Sequence, residues 1–245
     1  MTDLNKTAIV TGSSQGIGKG IVKRLASDGY QVVVNYHSDS TEAEKVVASI
    51  KKAGGQAIAV QADVTIDEHR EKLLDQTIES FGSVNALVHN SGISTRGPLQ
   101  DVSEADWDRL YALNAKAPFF LTQSTLKHMN EGGAIIFVSS STASFPMKDT
   151  SLYASSKMPV RAMGEVLAKE LGPKGIRVNT VIPGPTAPGM FADAPEHLQD
   201  MAAGTSPFDR IGHPEDIAGV VSFLVSDNAK WVTGQNILVN GGATM

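Results

Sequence analysis

Short runs of apolar and β-branched residues alternate along the chain with longer stretches in which apolar residues recur every three or four positions. Continuous apolar runs of this kind are typical of strands that are buried on both faces of a parallel sheet. The pattern predicts strands at 7–11, 31–35, 56–61, 85–89, 134–139, 177–182 and 236–240. It predicts helices near 17–29, 41–53, 67–81, 104–129, 152–172 and 214–226.

The predicted strands and helices alternate from one end of the chain to the other, without a linker or a break in composition. This alternation indicates an α/β fold, a single doubly wound domain that spans residues 1–245. One tract, 183–213, is irregular and rich in Pro, Gly, Ala and Met. Because a long insert in a compact domain is usually functional, we expect a substrate flap at about 186–212.

Composition and charge narrow the range of functions. Hydrophobic residues make up 41% of the 245 residues, and the net charge of −5 disfavours a nucleic-acid-binding surface. The absence of cysteine excludes disulfides, zinc–thiolate sites and a thiol nucleophile, and the acidic residues show no paired spacing for a metal. No apolar run approaches the ~20 residues that span a bilayer, and the short segment before "TAIV" leaves no room for a signal peptide. We therefore expect a soluble, cytoplasmic protein without a membrane partner.

A glycine-rich turn, "TGSSQGIG" at 11–18, joins the first predicted strand to the first predicted helix. In a doubly wound sheet, such a turn lets the backbone approach a dinucleotide pyrophosphate at a helix N-terminus. The spacing is GxxxGxG rather than the more common GxGxxG. The turn contributes these candidate cofactor contacts: Gly12, Ser14, Gln15, Gly16, Ile17 and Gly18.

The end of the second predicted strand bears on which dinucleotide binds. An acidic residue there would bond the adenosine ribose and repel a 2′-phosphate. The strand instead ends in the neutral candidates Asn35, Tyr36, His37 and Ser38. These side chains tolerate a phosphate, and His37 can complement its charge, so the sequence favours NADP(H), with NAD(H) still possible. The glycine-rich turn itself offers no basic residue, since Gln15 stands there.

The segment "SLYASSKMPV" at 151–160 places Tyr153 and Lys157 four positions apart on one predicted helix. Residues at this spacing share a helix face, so the pair can be either an ordinary surface pair or an acid–base site. An ammonium group beside a phenol would lower the tyrosine pKa toward neutral pH, where acid–base catalysis is most effective. Pro159 cannot donate a helical hydrogen bond, which predicts a kink or a lost 159-to-155 bond.

Six motifs in the same order and spacing resemble the short-chain dehydrogenase/reductase family, and the likeness covers essentially the whole chain. The carbonyl reductases and alcohol dehydrogenases most similar in pattern are the 3-oxoacyl-carrier-protein reductases, the glucose-type sugar dehydrogenases and the small aldehyde or ketone reductases. The motifs are "TGSSQGIG", "ADV" at 62–64, "HNSG" at 89–92 followed by Asn114, "VSSS" at 138–141, "YASSK" at 153–157 and "RVNTVIPGP" at 177–185.

The resemblance implies a Rossmann-type, doubly wound sheet of seven mostly parallel strands with helices on both faces. It implies hydride transfer between a nicotinamide cofactor and a carbonyl or alcohol. Tyr153 matches the family's acid/base, Lys157 its partner, and Ser140, thirteen residues before the tyrosine, the residue that polarises the substrate oxygen. Asn114 matches the asparagine that holds a water near the lysine.

The resemblance also implies further cofactor contacts, and the chain departs from the family pattern near two of them as well as at Pro159. The first departure is His89, where the family commonly has asparagine; the second is Pro188, where it often has a phosphate-binding threonine that Thr186 would replace. The implied contacts are Asp63 and Val64 at the adenine, Asn90, Ser91 and Gly92 in the following loop, Tyr153 and Lys157 at the nicotinamide end, and Pro183, Gly184 and Thr186.

Apolar residues around the catalytic set favour a small aldehyde or ketone as substrate. The candidate substrate residues are Ser140, Phe145, Met147, Met190 and Phe191. A 3-oxoacyl-carrier-protein reductase and an NAD(P)-dependent sugar dehydrogenase remain alternatives, although Glu131 occupies a position that is often basic in the carrier reductases. A nucleotide-sensing protein is the non-enzymatic alternative, disfavoured by the complete catalytic set. The family resemblance also implies a homo-oligomer, either a dimer or a tetramer.

Overall fold

The computed structural model describes residues 6–192 and 194–243. Its strands are β1 (Thr7–Val10), β2 (Gln31–Tyr36), β3 (Gln56–Gln61), β4 (Val84–His89), β5 (Met129–Val138), β6 (Arg177–Pro183) and β7 (Asn236–Val239). Its α-helices are α1 (Gly16–Ser27), α2 (Ser40–Lys52), α3 (Asp67–Phe81), α4 (Glu104–Tyr111), α5 (Ala117–Thr125), α6 (Ser151–Lys157), α7 (Pro159–Leu171), α8 (Glu196–Gly204) and α9 (Pro214–Val225).

The seven strands form one sheet in the order β3-β2-β1-β4-β5-β6-β7. Every pairing is parallel, so the carboxyl ends of all seven strands lie at the same edge of the sheet. The strand order reverses between β1 and β4, and in open α/β sheets ligands bind at such a switch point. The predicted α/β, doubly wound fold with a seven-stranded parallel sheet is confirmed.

Alternate residues of each strand pack into two separate apolar cores. Ala8 and Val10 of β1 face a core built with α1, α2 and α9, whereas Ile9 faces a core built with α3, α5 and α7. Both faces of the central strands are therefore buried, which explains why these strands are continuous apolar runs in the sequence. The sheet is the fixed frame from which the site residues project.

Two element predictions are wrong. The stretch 104–129 is not one helix: α4 gives way to a π-helical segment, Ala112–Lys116, and α5 ends at Thr125. Strand β5 begins at Met129, earlier than the predicted 134, because Gly132 and Gly133 interrupt the apolar run that marks the strand in the sequence. The irregular tract 183–213 also contains one short helix, α8.

The interruption predicted at Pro159 is confirmed. Helix α6 ends at Lys157 and α7 begins at Pro159, with a bend at Met158. The Met158 backbone N–H donates to the Ser155 carbonyl at 3.2 Å, a three-residue bond in place of the regular four-residue one. The proline thus occupies the first position of a new helix, where a missing N–H is tolerated.

Candidate active site

The glycine-rich turn is held from two sides by the amide side chains of Asn35 and Asn90. Gly12 has φ of +60°, a left-handed conformation that glycine adopts without strain. Its N–H donates to Asn35 Oδ1 at 3.1 Å, and its carbonyl accepts from Asn90 Nδ2 at 2.9 Å. The turn that would receive a pyrophosphate is therefore fixed by the protein itself.

The Asn35 side chain does not lie where a contact to the cofactor would require it. Its side chain is 1% exposed and lies behind the turn, where Nδ2 donates to the Ala62 carbonyl at 3.0 Å. Its hydrogen bonds link the turn to the ends of β2 and β3. Asn35 thus supports the turn, and Tyr36, His37 and Ser38 are the residues of this segment that lie toward the surface.

Thr11 is a support residue that sequence reasoning missed. Its Oγ1 accepts hydrogen bonds from the backbone N–H groups of Asn90 at 3.0 Å and Ser91 at 2.9 Å. This joins the end of β1 to the loop after β4, across the switch point of the sheet. The adjacency of Thr11 to the first glycine of the turn is the sequence signal that could have indicated it.

Gly92 allows the lysine and the asparagine of the catalytic set to approach the loop after β4. A β-carbon at Gly92 would lie 2.7 Å from Lys157 Nζ and 3.0 Å from Asn114 Oδ1, too close for either atom to remain in place. The structure therefore brings Gly92, Asn114 and Lys157 together, as predicted from their motifs. This contact is the physical reason for a glycine at the end of "HNSG".

Asn114 lies in the π-helical segment, and its side chain makes three further hydrogen bonds. Oδ1 accepts from the Ile93 N–H at 3.0 Å, and Nδ2 donates to the Ile93 carbonyl and to Ser156 Oγ, each at 2.9 Å. π-helical segments are rare overall, but those that occur are often found at functional sites. Here the segment changes the direction in which the Asn114 side chain points. Ser156 is a second support residue that the sequence did not indicate.

Lys157 is buried, with 3% of its surface exposed. Its Nζ donates to the Val138 carbonyl at 3.2 Å, and its own carbonyl accepts from Ser139 Oγ at 2.8 Å. Burial disfavours the charged ammonium and lowers the lysine pKa from 10.5 to about 8. Ser139, immediately before the predicted catalytic serine, therefore anchors the helix that carries Lys157.

The structure corrects the pKa expected for Tyr153. Burial raises the tyrosine pKa above 10.0, and the neighbouring Ser140 hydroxyl opposes part of that increase. Burial of the phenolate thus outweighs the lowering expected from Lys157. The phenol consequently stays protonated at neutral pH. Ser140 itself lies in the loop two residues beyond β5, where its Oγ accepts from the Thr142 N–H at 3.2 Å.

Asp63 and Val64 follow β3 at the predicted adenine end of the site. Asp63 Oδ1 accepts from the Thr65 N–H at 2.9 Å and from Thr65 Oγ1 at 2.7 Å, and its Oδ2 lies 3.7 Å from His37 Nε2. Burial alone would raise the pKa of Asp63, but the Thr65 bonds and the nearby histidines bring it below its ordinary value. The carboxylate is thus ionised at neutral pH.

The segment predicted as a substrate flap follows β6, and its Gly189 lies against the glycine-rich turn. A β-carbon at Gly16 would be 3.3 Å from the Gly189 Cα. Thr186, the predicted substitute for a phosphate-binding threonine, is 5% exposed, and its hydroxyl donates to the Gly184 carbonyl at 2.9 Å. His213 is the N-cap residue of α9. Its Nδ1 lies 3.2 Å from the carbonyl oxygen of Ala187 in the flap.

The candidate substrate residues lie in two separate segments of the chain. Phe145 and Met147 stand between Ser140 and Tyr153 along the chain and are half-buried. Met190 and Phe191 belong to the flap; Met190 is 57% exposed, and Phe191 is half-buried. The buried His89 is not part of this set: it bonds Thr122 Oγ1 through Nε2 at 2.8 Å and stacks on Phe137.

The donors and clefts present fit a nicotinamide dinucleotide. The glycine turn leads into the N-terminus of α1, the kind of position at which a pyrophosphate binds, and Gly92 leaves space beside Lys157 where a β-carbon would intrude. Lys157 would donate to ribose hydroxyls, and the ends of β2 and β3 would form the adenosine side. A protonated phenol, a serine hydroxyl and a buried ammonium together can transfer a proton to a carbonyl oxygen and stabilise the remaining phenolate.

Comparison with known proteins agrees with this geometry. A family model described as "Enoyl-(Acyl carrier protein) reductase" matches residues 12–244. The short chain dehydrogenase/reductase dmxR18 of Cryptosporiopsis sp. is 42% identical over 251 residues, covering 97% of this chain and 95% of its own.

Solved structures are also similar to this chain. The angucycline C-6 ketoreductase LanV with bound NADP superimposes with a TM-score of 0.93 at 35% identity, over 98% of this chain and 96% of its own. Another LanV structure holds NADP and rabelomycin. A short-chain dehydrogenase from Burkholderia cenocepacia J2315, in complex with NADP, gives a TM-score of 0.92 at 36% identity over 98% of both chains. The fold, the assembled site and these likenesses lead to one conclusion: the chain belongs to the short-chain dehydrogenase/reductase family.

Proposed function

We propose that the protein is an NADP(H)-dependent oxidoreductase that reduces the carbonyl group of an aldehyde or ketone. The observation that carries the proposal is the assembly of Ser140, Tyr153, Lys157 and Asn114 at the carboxyl edge of the sheet, beside a preformed glycine turn. The LanV and Burkholderia structures, which hold NADP, support the choice of nucleotide.

Each residue of the set has a distinct chemical task. The nicotinamide ring supplies a hydride when the cofactor is bound. The Ser140 hydroxyl donates a hydrogen bond to the substrate oxygen and orients it, and the Tyr153 phenol delivers its proton to that oxygen. The Lys157 ammonium stabilises the phenolate that remains, because opposite charges at short range favour the ionised form. Asn114 fixes the loop after β4 and holds a water on the lysine's side.

The flap supports an apolar substrate. Met190 is 57% exposed and Phe208 69% exposed, on a segment that leaves the sheet at the same edge as the catalytic set. An exposed apolar flap that covers the glycine turn fits a segment that closes over cofactor and substrate. A free aldehyde or ketone is favoured over a carrier-bound acyl thioester, because an acidic carrier protein needs basic partners and the one arginine of the flap, Arg210, is paired with Asp216.

The test is a panel of aldehydes, ketones, sugars and 3-oxoacyl thioesters, run with NADPH and NADH in parallel. We expect NADPH oxidation with apolar aldehydes or ketones. Turnover only with acyl thioesters would favour the carrier-protein reductase, and turnover only with sugars the sugar dehydrogenase. Tyr153→Phe should abolish turnover and leave NADPH affinity within about twofold, since it removes only the transferable proton. Tight nucleotide binding with no turnover across the panel would favour the sensor.

We further propose that the protein is a cytoplasmic homo-oligomer. The chain contains no cysteine and so makes no use of an oxidising compartment. Apolar side chains are exposed on α4, α5 and α7, where a groove of about 550 Å³ is lined by Tyr111, Phe119, Phe120 and Met163 among others. Exposed apolar patches of this kind mark protein–protein contacts. The edge strand β7, with Leu238 41% exposed, is the second candidate interface.

A further inference from the structure

Helix α3 carries a charged side chain on its buried face. The buried residues of this helix are Arg70, Leu73, Leu74 and Thr77, a spacing that places them on one side of the helix. Leu73 and Leu74 pack into the apolar core built with α3, α5 and α7, and Arg70 is only 6% exposed. An apolar side chain is the usual occupant of such a position, because a buried charge loses its hydration.

The burial of the Arg70 guanidinium is only partly compensated. Nη2 donates to Asp67 Oδ1 at 2.7 Å, but the Asp67 side chain is itself 74% exposed. Nε is buried and, in the described part of the chain, has no hydrogen-bond partner. The guanidinium carbon lies 5.8 Å from the centre of the Phe120 ring, close enough for a cation–π contact. Since an apolar side chain of the same length would leave no unpaired donor, stability alone does not explain an arginine here.

The remaining nitrogen, Nη1, holds the loop that follows β3. It donates to the Val64 carbonyl at 3.0 Å, and the preceding residue of the helix, His69, accepts from the Asp63 N–H at 3.2 Å. Two consecutive residues of α3 thus hold the peptide groups on either side of the one that joins Asp63 to Val64. The carbonyl of that middle group accepts from the Ile66 N–H at 3.0 Å. Its N–H, on Val64, donates to no protein atom within residues 6–192 and 194–243.

This loop is joined to the glycine-rich turn through Asn35. The Asn35 Oδ1 accepts from the Gly12 N–H, and its Nδ2 donates to the Ala62 carbonyl directly after β3. The loop therefore lies at the carboxyl edge of the sheet, where ligands of open α/β sheets bind, on the side of β2 and β3. A free N–H on Val64 next in the chain to the Asp63 carboxylate offers one donor and one acceptor, which complements a ring nitrogen and the amino group of adenine.

We propose that Arg70 is a positioning residue for the adenosine half of NADPH: its guanidinium holds the Val64 carbonyl and so fixes the peptide group whose N–H meets the adenine. This rests on the proposed NADP(H)-dependent function. The contacts of Arg70 are to Val64, Asp67 and Phe120, none of which belongs to the catalytic set. Its contribution is therefore to nucleotide binding and not to the rate of the chemical step.

The test compares wild type with Arg70→Met, which keeps an unbranched side chain and removes every donor, and with Arg70→Lys. Arg109→Met is the matched control, because Arg109 forms the same kind of i,i+3 ion pair, with Asp106 at 3.0 Å, on the exposed surface of α4. Calorimetry measures the dissociation constants of NADPH and of adenosine 2′,5′-bisphosphate, which lacks the nicotinamide half. Thermal unfolding without nucleotide gives Tm, and turnover of a carbonyl substrate from the panel at saturating NADPH gives kcat.

We expect Arg70→Met to weaken binding of NADPH and of the bisphosphate by the same factor, about tenfold, as for the loss of a hydrogen bond from a charged donor. Its kcat should stay within about twofold of wild type, and its Tm within about 3 °C, because an apolar side chain suits the buried position. Arg70→Lys keeps the charge without the planar pair of donors, so its affinity should lie between the two. Arg109→Met should follow wild type.

Unchanged bisphosphate binding in Arg70→Met, or a fall in kcat as large as the fall in affinity, would overturn the assignment. If Arg70→Met does not fold, Arg70→Lys decides: weakened bisphosphate binding by the folded variant supports the assignment, and unchanged binding overturns it. A wild type that binds neither NADPH nor the bisphosphate would refute the proposed function itself. Tight binding that is insensitive to Arg70 would remove this inference alone.

Discussion

At the scale of single residues, the main energetic cost is the burial of the Lys157 ammonium group. Lys157 is 3% exposed, and in the described structure its Nζ bonds the Val138 carbonyl without a carboxylate partner. Its pKa of about 8, against 10.5 in water, corresponds to a penalty on the order of 3 kcal/mol for holding the charge. The fold bears this cost at the position where the proposed chemistry needs a positive charge beside a phenol.

Replacing Lys157 by methionine should therefore stabilise the free protein while abolishing turnover. The gain should be about 1–2 kcal/mol at pH 7, since the lost bond to Val138 offsets part of the relieved penalty. The folded-state pKa lies below the unfolded value, so the penalty is complete below pH 8 and disappears as pH rises toward 10.5. Denaturant unfolding at pH 7 and pH 10 measures this, and a gain that does not shrink at pH 10 would contradict it.

The same residue predicts the pH dependence of reduction. As Lys157 loses its proton above about pH 8, the phenolate left by Tyr153 loses its stabilising charge. We expect kcat/KM for carbonyl reduction to be constant near neutrality and to fall above pH 8, because this parameter reports the ionisations of the free enzyme. A profile that stays level up to pH 10 would show that the charge on Lys157 does not limit turnover.

At the scale of elements, two interrupted helices orient the catalytic set. The π-helical segment Ala112–Lys116 directs Asn114 toward Ile93, and the bend at Met158 separates the helix that carries Tyr153 and Lys157 from the one that follows. Both interruptions lie next to residues of the catalytic set, the first around Asn114 and the second directly after Lys157.

Pro159 should consequently cost the protein little. A proline inside a continuous helix destabilises it by about 3 kcal/mol, but Pro159 begins a new helix, and it also restricts the unfolded chain. We expect Pro159→Ala to lower the free energy of unfolding by less than about 1 kcal/mol. Urea denaturation measures the difference. A gain near 3 kcal/mol would instead show that the proline strains the native helix.

At the scale of the whole molecule, the exposed apolar groove on α4, α5 and α7 lies on one face of the sheet, whereas β7 is the strand at one end of it. If both are interfaces, the assembly is a tetramer, and charges placed in them should divide it stepwise. We expect Phe119→Glu and Leu238→Glu each to give dimers and the double variant monomers, because an unpaired charge cannot be buried in an apolar contact. Light scattering after size-exclusion chromatography measures the masses. A wild-type monomer, or variants with unchanged mass, would contradict the proposal.

Much of the fold could be predicted because the relevant signals are local. Both faces of each central strand are buried, so "AIIFV" and "VVV" are strands by composition alone. Gly12 could be predicted because a tight turn needs a positive φ, and Pro159 because it has no N–H to donate. The start of β5 could not be predicted, because glycines and a register shift interrupt its apolar pattern. The π-helical segment could not be predicted either, because the sequence pattern around it is that of an ordinary helix.

The sequence by itself determined most of the elements, their order, the glycine-rich turn and the residue types of the proposed catalytic set, since each depends on short-range chemistry along the chain. Only the tertiary structure decided that Asn35 supports the turn from behind and that burial dominates the Tyr153 pKa. It alone placed Asp63 between two histidines. The burial of a side chain and its hydrogen-bond partners depend on residues that are distant in the chain and come together only when the sheet is complete.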